Sequence, residues 1–231
     1  MTTQAVAASI GSPSMSRLFS ATATDGQYNN LNDTVTATAI GLSMPNRSIN
    51  YVCATVTAGC GLWRIISSQT NQIYRQGFTS QVGFVDPSAC MIQPIQIQPD
   101  MLFQIYCLPS VVGEPRTNNV ALVTSNRGVE AFASQAVADD TYRPLRSIIS
   151  NLGIGDLLFG ATIGNVRVQS EDGAALTSIE FVDASSGTQY TGYGSTRLPT
   201  AGGTSTMFNG DYALSIPVQK GWVLNLKTVS A

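Results

Sequence analysis

Apolar and polar residues alternate along most of this chain, most clearly in two stretches that match each other. Residues 95–107 read IQIQPDMLFQIYC and residues 214–226 read LSIPVQKGWVLNL. Laid together without a gap, Ile95 falls on Leu214, Ile97 on Ile216, Phe103 on Trp222, Ile105 on Leu224 and Cys107 on Leu226. Alternation with period two marks a strand with one buried face. The breaks at Pro99-Asp100-Met101 and Gln219-Lys220-Gly221 mark hairpin turns. A hairpin that recurs at the end of both halves of a 231-residue chain predicts two related β domains in tandem. Ahead of it, Ser67-Ser68 with Gln72 and Gly77 echo Ser185-Ser186 with Gln189 and Gly194.

Residues 1–16 are small, polar and patternless, the composition of an N-terminal arm that lies against a neighbouring subunit or domain. A first β-sandwich domain is expected over 17–110, with strands at 17–24, 34–40, 49–57, 62–67, 72–78, 81–85, 92–97 and 102–107. Short strands at this spacing are the signature of a sandwich or barrel. The stretch DGQYNNLND, 25–33, reads as a turn with Asx-type hydrogen bonds rather than a calcium loop, whose residue order it lacks. A linker at 111–117 lies within LPSVVGEPRTNN. The second domain, 118–231, is expected to begin with a strand at 119–124. Further strands follow at 157–163, 165–169, 175–182, 188–193, 204–208, 212–218 and 222–228.

Helical periodicity surfaces in one region. Val129, Phe132, Ala133, Ala136 and Val137 predict a helix over 128–138. Leu145, Ile148, Ile149 and Leu152, with Pro144 in the first turn and Gly153 as C-cap, predict another over 144–152. The expected fold is therefore mainly β, two tandem sandwiches with one or two short helices between them.

Composition narrows the function. Only 11% of residues are charged, the net charge is −2, and Lys220 and Lys227 are the sole lysines. Neutralising phosphates needs clustered cations, so sequence-specific nucleic-acid binding is not expected. A sparsely charged surface lacks the self-repulsion that keeps copies apart, which favours life in an assembly. No run reaches the length of a membrane span, and the first residues lack the basic and apolar regions of a secretory signal.

Histidine is absent, which removes the commonest metal ligand and general base. Cys53, Cys60, Cys90 and Cys107 do not have zinc-site spacing. They read as buried reduced thiols, with one or two disulfides as the alternative. The adjacent acids Asp139-Asp140 and Glu171-Asp172 read as structural, and no phosphate- or dinucleotide-binding motif is present. No catalytic residue, metal or cofactor is assigned, and the chain is not expected to be an enzyme. Tyr190, Tyr193 and Arg197 flank the Gly- and Pro-rich loop 194–204, an expected exposed tip, and are the candidate interface residues.

Two β domains, each closing with a hairpin of the form apolar-x-apolar-x-turn-x-aromatic-x-apolar-x-apolar, resemble the jelly-roll structural proteins of virions. The double jelly-roll capsid proteins of tailless bacteriophages are the nearest picture, and the decoration or cement proteins of tailed phages come second. The resemblance implies two jelly-roll-like sandwiches that self-assemble, as closed trimers, into a virion shell with other virion proteins. Such a protein is made in the host cytoplasm. The alternative from another class is a carbohydrate-binding β-sandwich of a fibre or secreted lectin.

Overall fold

Each half of the chain builds two sheets, and the strands of the two halves follow the same order. The computed structural model describes residues 3–12, 15–57, 61–81, 90–108, 118–135, 141–170, 175–196 and 208–230. The chain divides into two compact units, Met1–Glu114 and Pro115–Ala231. The first holds β1 (Thr3–Ser12), β2 (Met15–Thr24), β3 (Tyr28–Asn30), β4 (Asn32–Asp33), α1 (Ile40–Ser43), β5 (Ser48–Val56) and β6 (Gly61–Ser67). It continues with β7 (Ile73–Phe78), β8 (Ser80–Gln81), β9 (Met91–Gln96) and β10 (Met101–Cys107). The second holds β11 (Asn118–Ser125), β12 (Gly128–Gln135), β13 (Arg143–Pro144), β14 (Arg146–Ser147), α2 (Ile154–Leu157) and β15 (Thr162–Ser170). After these come β16 (Ala175–Asp183), β17 (Gln189–Thr196), β18 (Phe208–Pro217) and β19 (Trp222–Ser230).

In the first unit β4-β2-β1-β5-β9 form one sheet, with β8 added beside β5, and β3-β10-β6-β7 form the other. In the second, β14-β12-β11-β15-β18 and β13-β19-β16-β17 repeat that order strand for strand. Smaller features recur too. Asn46 and Gly160, both at positive φ, donate their amides to the carbonyls of Ile97 and Val218, whose own amides return to Arg47 and Ala161. A register shift follows Ile49 where β5 meets β9, and another follows Ile163 where β15 meets β18.

These anchors correct the register of the repeated hairpin. Ile97 corresponds to Val218 and Met101 to Trp222, so Ile95 matches Ile216, not Leu214, and Phe103 matches Leu224, not Trp222. The ungapped reading was displaced by two residues. In a pattern of period two, such a slide leaves every side chain on the same face, so alternation cannot detect it. The echo of Ser67 likewise falls on Asp183 rather than Ser185. Ser67 is opposite Met101, and Asp183 is opposite Trp222.

Among the described residues a single six-residue turn is used four times. It begins at Asp33, Ser67, Ser147 and Asp183, whose side-chain oxygens accept amides two or three residues on. The carbonyl of each accepts the amide of Ala37, Asn71, Asn151 or Gly187, all of which have φ between +57° and +68°. The first amide of each turn then closes on the carbonyl of Thr38, Gln72, Leu152 or Thr188. Asp and Ser suit the first position because a short polar side chain can reach its own backbone.

Five further expectations from sequence are overturned. The strand expected at 157–163 is not formed as such: α2 ends at Leu157, a turn follows, and β15 begins only at Thr162. Residues 3–12 are not an arm: β1 lies between β2 and β5 and buries Val6, Ala8 and Ile10. Residues 34–40 are not a strand: 33–38 form the first of the four turns, leaving Val35 87% exposed, and Ile40 opens α1. Residues 128–135 are not helical. They form β12, paired with β11 across the turn Asn126-Arg127 and with β14 on the other edge. Of the predicted stripe Phe132 is buried, whereas Val129 is 37% exposed; strand partners on both sides outweigh a weak helical periodicity. In 144–152, Pro144 pairs with Asn225, Leu145 is buried, and Ile149 is 69% exposed. Gly153 is then the N-cap of α2, not a C-cap. Among the described residues the two helices are single turns, one inside each unit.

Each unit has its own core. Phe19, Ile49, Ile65 and Phe103 are among the residues that fill the first, and Phe132, Ile163, Phe181 and Leu224 stand at the corresponding places in the second. An aromatic pair is kept but rebuilt from opposite strands. Trp63 of β6 lies 6.0 Å from Phe103 of β10, while Phe181 of β16 lies 6.1 Å from Trp222 of β19. Gly77, opposite Trp63, leaves room for the indole; a Cβ there would come 2.7 Å from the ring. The linker 111–117 falls outside the described residues.

Candidate functional site

Polar side chains with convergent geometry gather on the face of the four-stranded sheet of the first unit that points away from the core. Strand alternation puts Trp63, Ile65, Phe103 and Ile105 inward, and Arg64, Gln104 and Tyr106 on the opposite face. Register aligns Gln104 with Arg64 on one side and Asn30 on the other, and Tyr106 with Tyr28. The Arg64 guanidinium lies 3.4 Å over the Tyr28 ring. Its Nε–H donates to Gln104 Oε1 at 2.7 Å, and Gln104 Nε2 donates to Asn30 Oδ1 at 2.8 Å. The Tyr28 and Tyr106 rings are 5.2 Å apart.

Burial dominates the electrostatics here. It lowers the Arg64 pKa, and Tyr28 beside it pulls the other way. Burial also raises the Tyr106 phenol, with the Cys107 thiol adding to the effect. The one ion pair among the described residues is elsewhere, between Arg17 and Asp33 at 2.7 Å.

In the second unit the same sheet face is built differently. Tyr142 takes the place of Tyr28, but the cation over it is Lys227, at 5.0 Å, in the place of Tyr106. Where the first unit has Arg64 the second has Glu180, which accepts a hydrogen bond from Asn225 at 2.9 Å and is 3% exposed. A tyrosine under a cation is thus common to both units, and the strand supplying the cation is not.

The thiols occupy other places. Cys53, Cys90 and Cys107 are buried thiols outside any disulfide; Cys60 lies outside the described residues. Burial and the nearby charge of Asp25 push Cys107 up to about 12. Burial, then the neighbouring thiols of Cys53 and Cys90, pushes the Tyr51 phenol up to about 12. A thiol held in its protonated form is a poor nucleophile. Among the described residues no group of three or more His, Cys, Asp or Glu side chains is arranged to hold a metal ion. Among them, too, no helix is long and apolar enough to cross a membrane.

Tyr190 and Tyr193 fall within β17, in register with Phe181 and Ile179, while Arg197 lies outside the described residues. Sequence reading missed the Arg64 cluster because Tyr28 sits in a stretch that reads as a turn. The available signal was Arg64 itself, a lone charge at the outward position of LWRIIS, and Gln104 at the same parity in MLFQIYC. Comparison with known protein families, curated proteins and solved structures finds no match.

Proposed function

We propose that the protein is a structural subunit of a virus particle that assembles with copies of itself into the shell. The supporting observation is the strand order. If β1 is counted after β10, the sheets β2-β1-β5-β9 and β3-β10-β6-β7 follow the two-Greek-key winding of a jelly roll whose last strand has moved to the front. The second unit repeats the arrangement. Two such units in one chain, with few charges, suit a mechanical role. The subunits close into trimers, in contact with other virion proteins, and bind no nucleic acid by sequence. A decoration subunit on a shell made by another protein is the second reading, since a sparsely charged surface that favours life in an assembly fits it as well.

Imaging the purified protein by negative-stain electron microscopy tests the proposal. Closed particles or rings of uniform size support a shell subunit. Attachment only to preformed shells supports decoration. Because few charges are available to screen, assembly is expected to change little between low and moderate salt; a steep loss counts against the proposal.

A further inference from the structure

We infer that the Tyr28–Arg64–Gln104 face of the first unit is a binding site for a carboxylate-bearing saccharide such as a uronic or sialic acid. The inference stands whether or not the chain forms a shell. Arg64 is a half-buried guanidinium with neutral partners only: its ring contact is Tyr28, its hydrogen-bond acceptor is Gln104, and no acid lies within ion-pair distance among the described residues. A partly desolvated charge gains most from an opposite charge, and a guanidinium matches a carboxylate with two parallel hydrogen bonds. The neighbouring Arg75 is already spent, donating to the carbonyls of Tyr74, Gln93 and Pro94.

The site is also preorganised. Stacking on Tyr28 fixes the plane of Arg64, and the chain Arg64–Gln104–Asn30 fixes its edge, so little side-chain freedom remains to be lost on binding. The flanking groups determine the ligand class. Asn30 is exposed, and with Gln104 it presents amides that pair with sugar hydroxyls. A single cation suits one carboxylate better than a phosphate dianion. The second unit has Glu180 at the place of Arg64 and would repel the same ligand, so one site per chain is expected.

Saturation-transfer NMR and calorimetry on the full chain, with N-acetylneuraminic acid and glucuronic acid as probes and glucose and acetate as controls, provide the test. The acidic sugars are expected to bind saturably in the millimolar range, at one per chain, and at least about tenfold more tightly than either control. Arg64→Met should weaken them by about tenfold or more, and Arg64→Lys by less. Should Arg64→Met lower the unfolding temperature, Gln104→Ala carries the test and should weaken binding while leaving the fold intact. Equal binding of glucose, equal binding of acetate, no saturation at any accessible concentration, or unchanged affinity in a folded Arg64→Met protein would each overturn the inference.

Discussion

Arg64 and Glu180 occupy the same position in the two units, each held by an amide side chain from the strand beside it. Gln104 accepts from Arg64, and Asn225 donates to Glu180. The charge has been inverted while its neutral partner has been kept. Glu180 is the more costly of the two, because it is 3% exposed and its Oε2 accepts no hydrogen bond among the described residues. A buried carboxylate with an unbonded oxygen loses hydration without full replacement. Glu180→Gln is therefore expected to leave stability unchanged or raise it by up to about 2 kcal/mol, as measured by urea unfolding at pH 7. A loss of several kcal/mol would mean that the carboxylate has a cationic partner.

The single-turn helices fix where each closing hairpin sits. Gly41 packs on the carbonyls of Gln98 and Pro99, and Gly155 on the backbone of Gly221 and Trp222, so closely that a Cβ at either position would overlap main-chain atoms. Backbone cannot swing aside as a side chain can. Gly41→Ala or Gly155→Ala should cost about 2–3 kcal/mol or more, lowering the melting temperature of the affected unit by about 10 °C or more. Gly187→Ala is the control. Its φ is +68° but nothing lies within 4 Å, so only the backbone penalty of about 1–2 kcal/mol applies. Equal effects at all three positions would contradict the packing argument.

Asp33 gives its turn in the first unit a sensitivity to acid that the equivalent turn of the second unit, which begins at Ser147, lacks. Burial alone would raise its pKa. The hydrogen bond from Arg17, the amides of Val35 and Thr36 and the charge of Arg17 together bring it below the ordinary 3.8. A folded-state pKa below the unfolded one gives stability that is present above about pH 4 and is lost as pH falls through the lower folded value. Ser147, at the same place in the second unit, does not titrate. Asp33→Asn should therefore flatten the acid limb of the first unit's stability between pH 5 and 2, followed by tryptophan fluorescence from Trp63. An unchanged acid limb would remove Asp33 from the account.

Deleting residues 3–12 should unfold the first unit. β1 pairs with β2 along ten residues and with β5 along six, so its loss opens the middle of a sheet rather than trimming an end. Calorimetry should find the first unit's transition gone. A truncated protein that melts as the full chain does would restore the N-terminal segment to an arm.

The sequence reveals a good deal of this architecture through alternation, since one-sided burial forces period two. It places the strands around Ile49–Val56, Leu62–Ile66 and Leu102–Cys107 and shows that the closing hairpin recurs. It cannot give the register of that hairpin, because a two-residue slide is invisible to the pattern. A better guide was the ungapped pair 39–50 and 153–164, AIGLSMPNRSIN and GIGDLLFGATIG, where Ile40-Gly41 and Ile49 match Ile154-Gly155 and Ile163. Glycine at a point of backbone contact is not interchangeable, so it marks register where alternation does not. β1 was illegible for a different reason. Its alanines and serines carry little apolar signal, and its place is decided by partners far along the chain, from β2 and β5. The Arg64 site depends on three strands and a short segment that reads as a turn, and no local pattern joins them.

The mass of the purified protein by light scattering, from about 1 to 100 µM, tests self-assembly most directly. A mass that rises to a fixed multiple of 24.4 kDa, three copies or more, is the predicted result. A particle of 24.4 kDa at every concentration would contradict it.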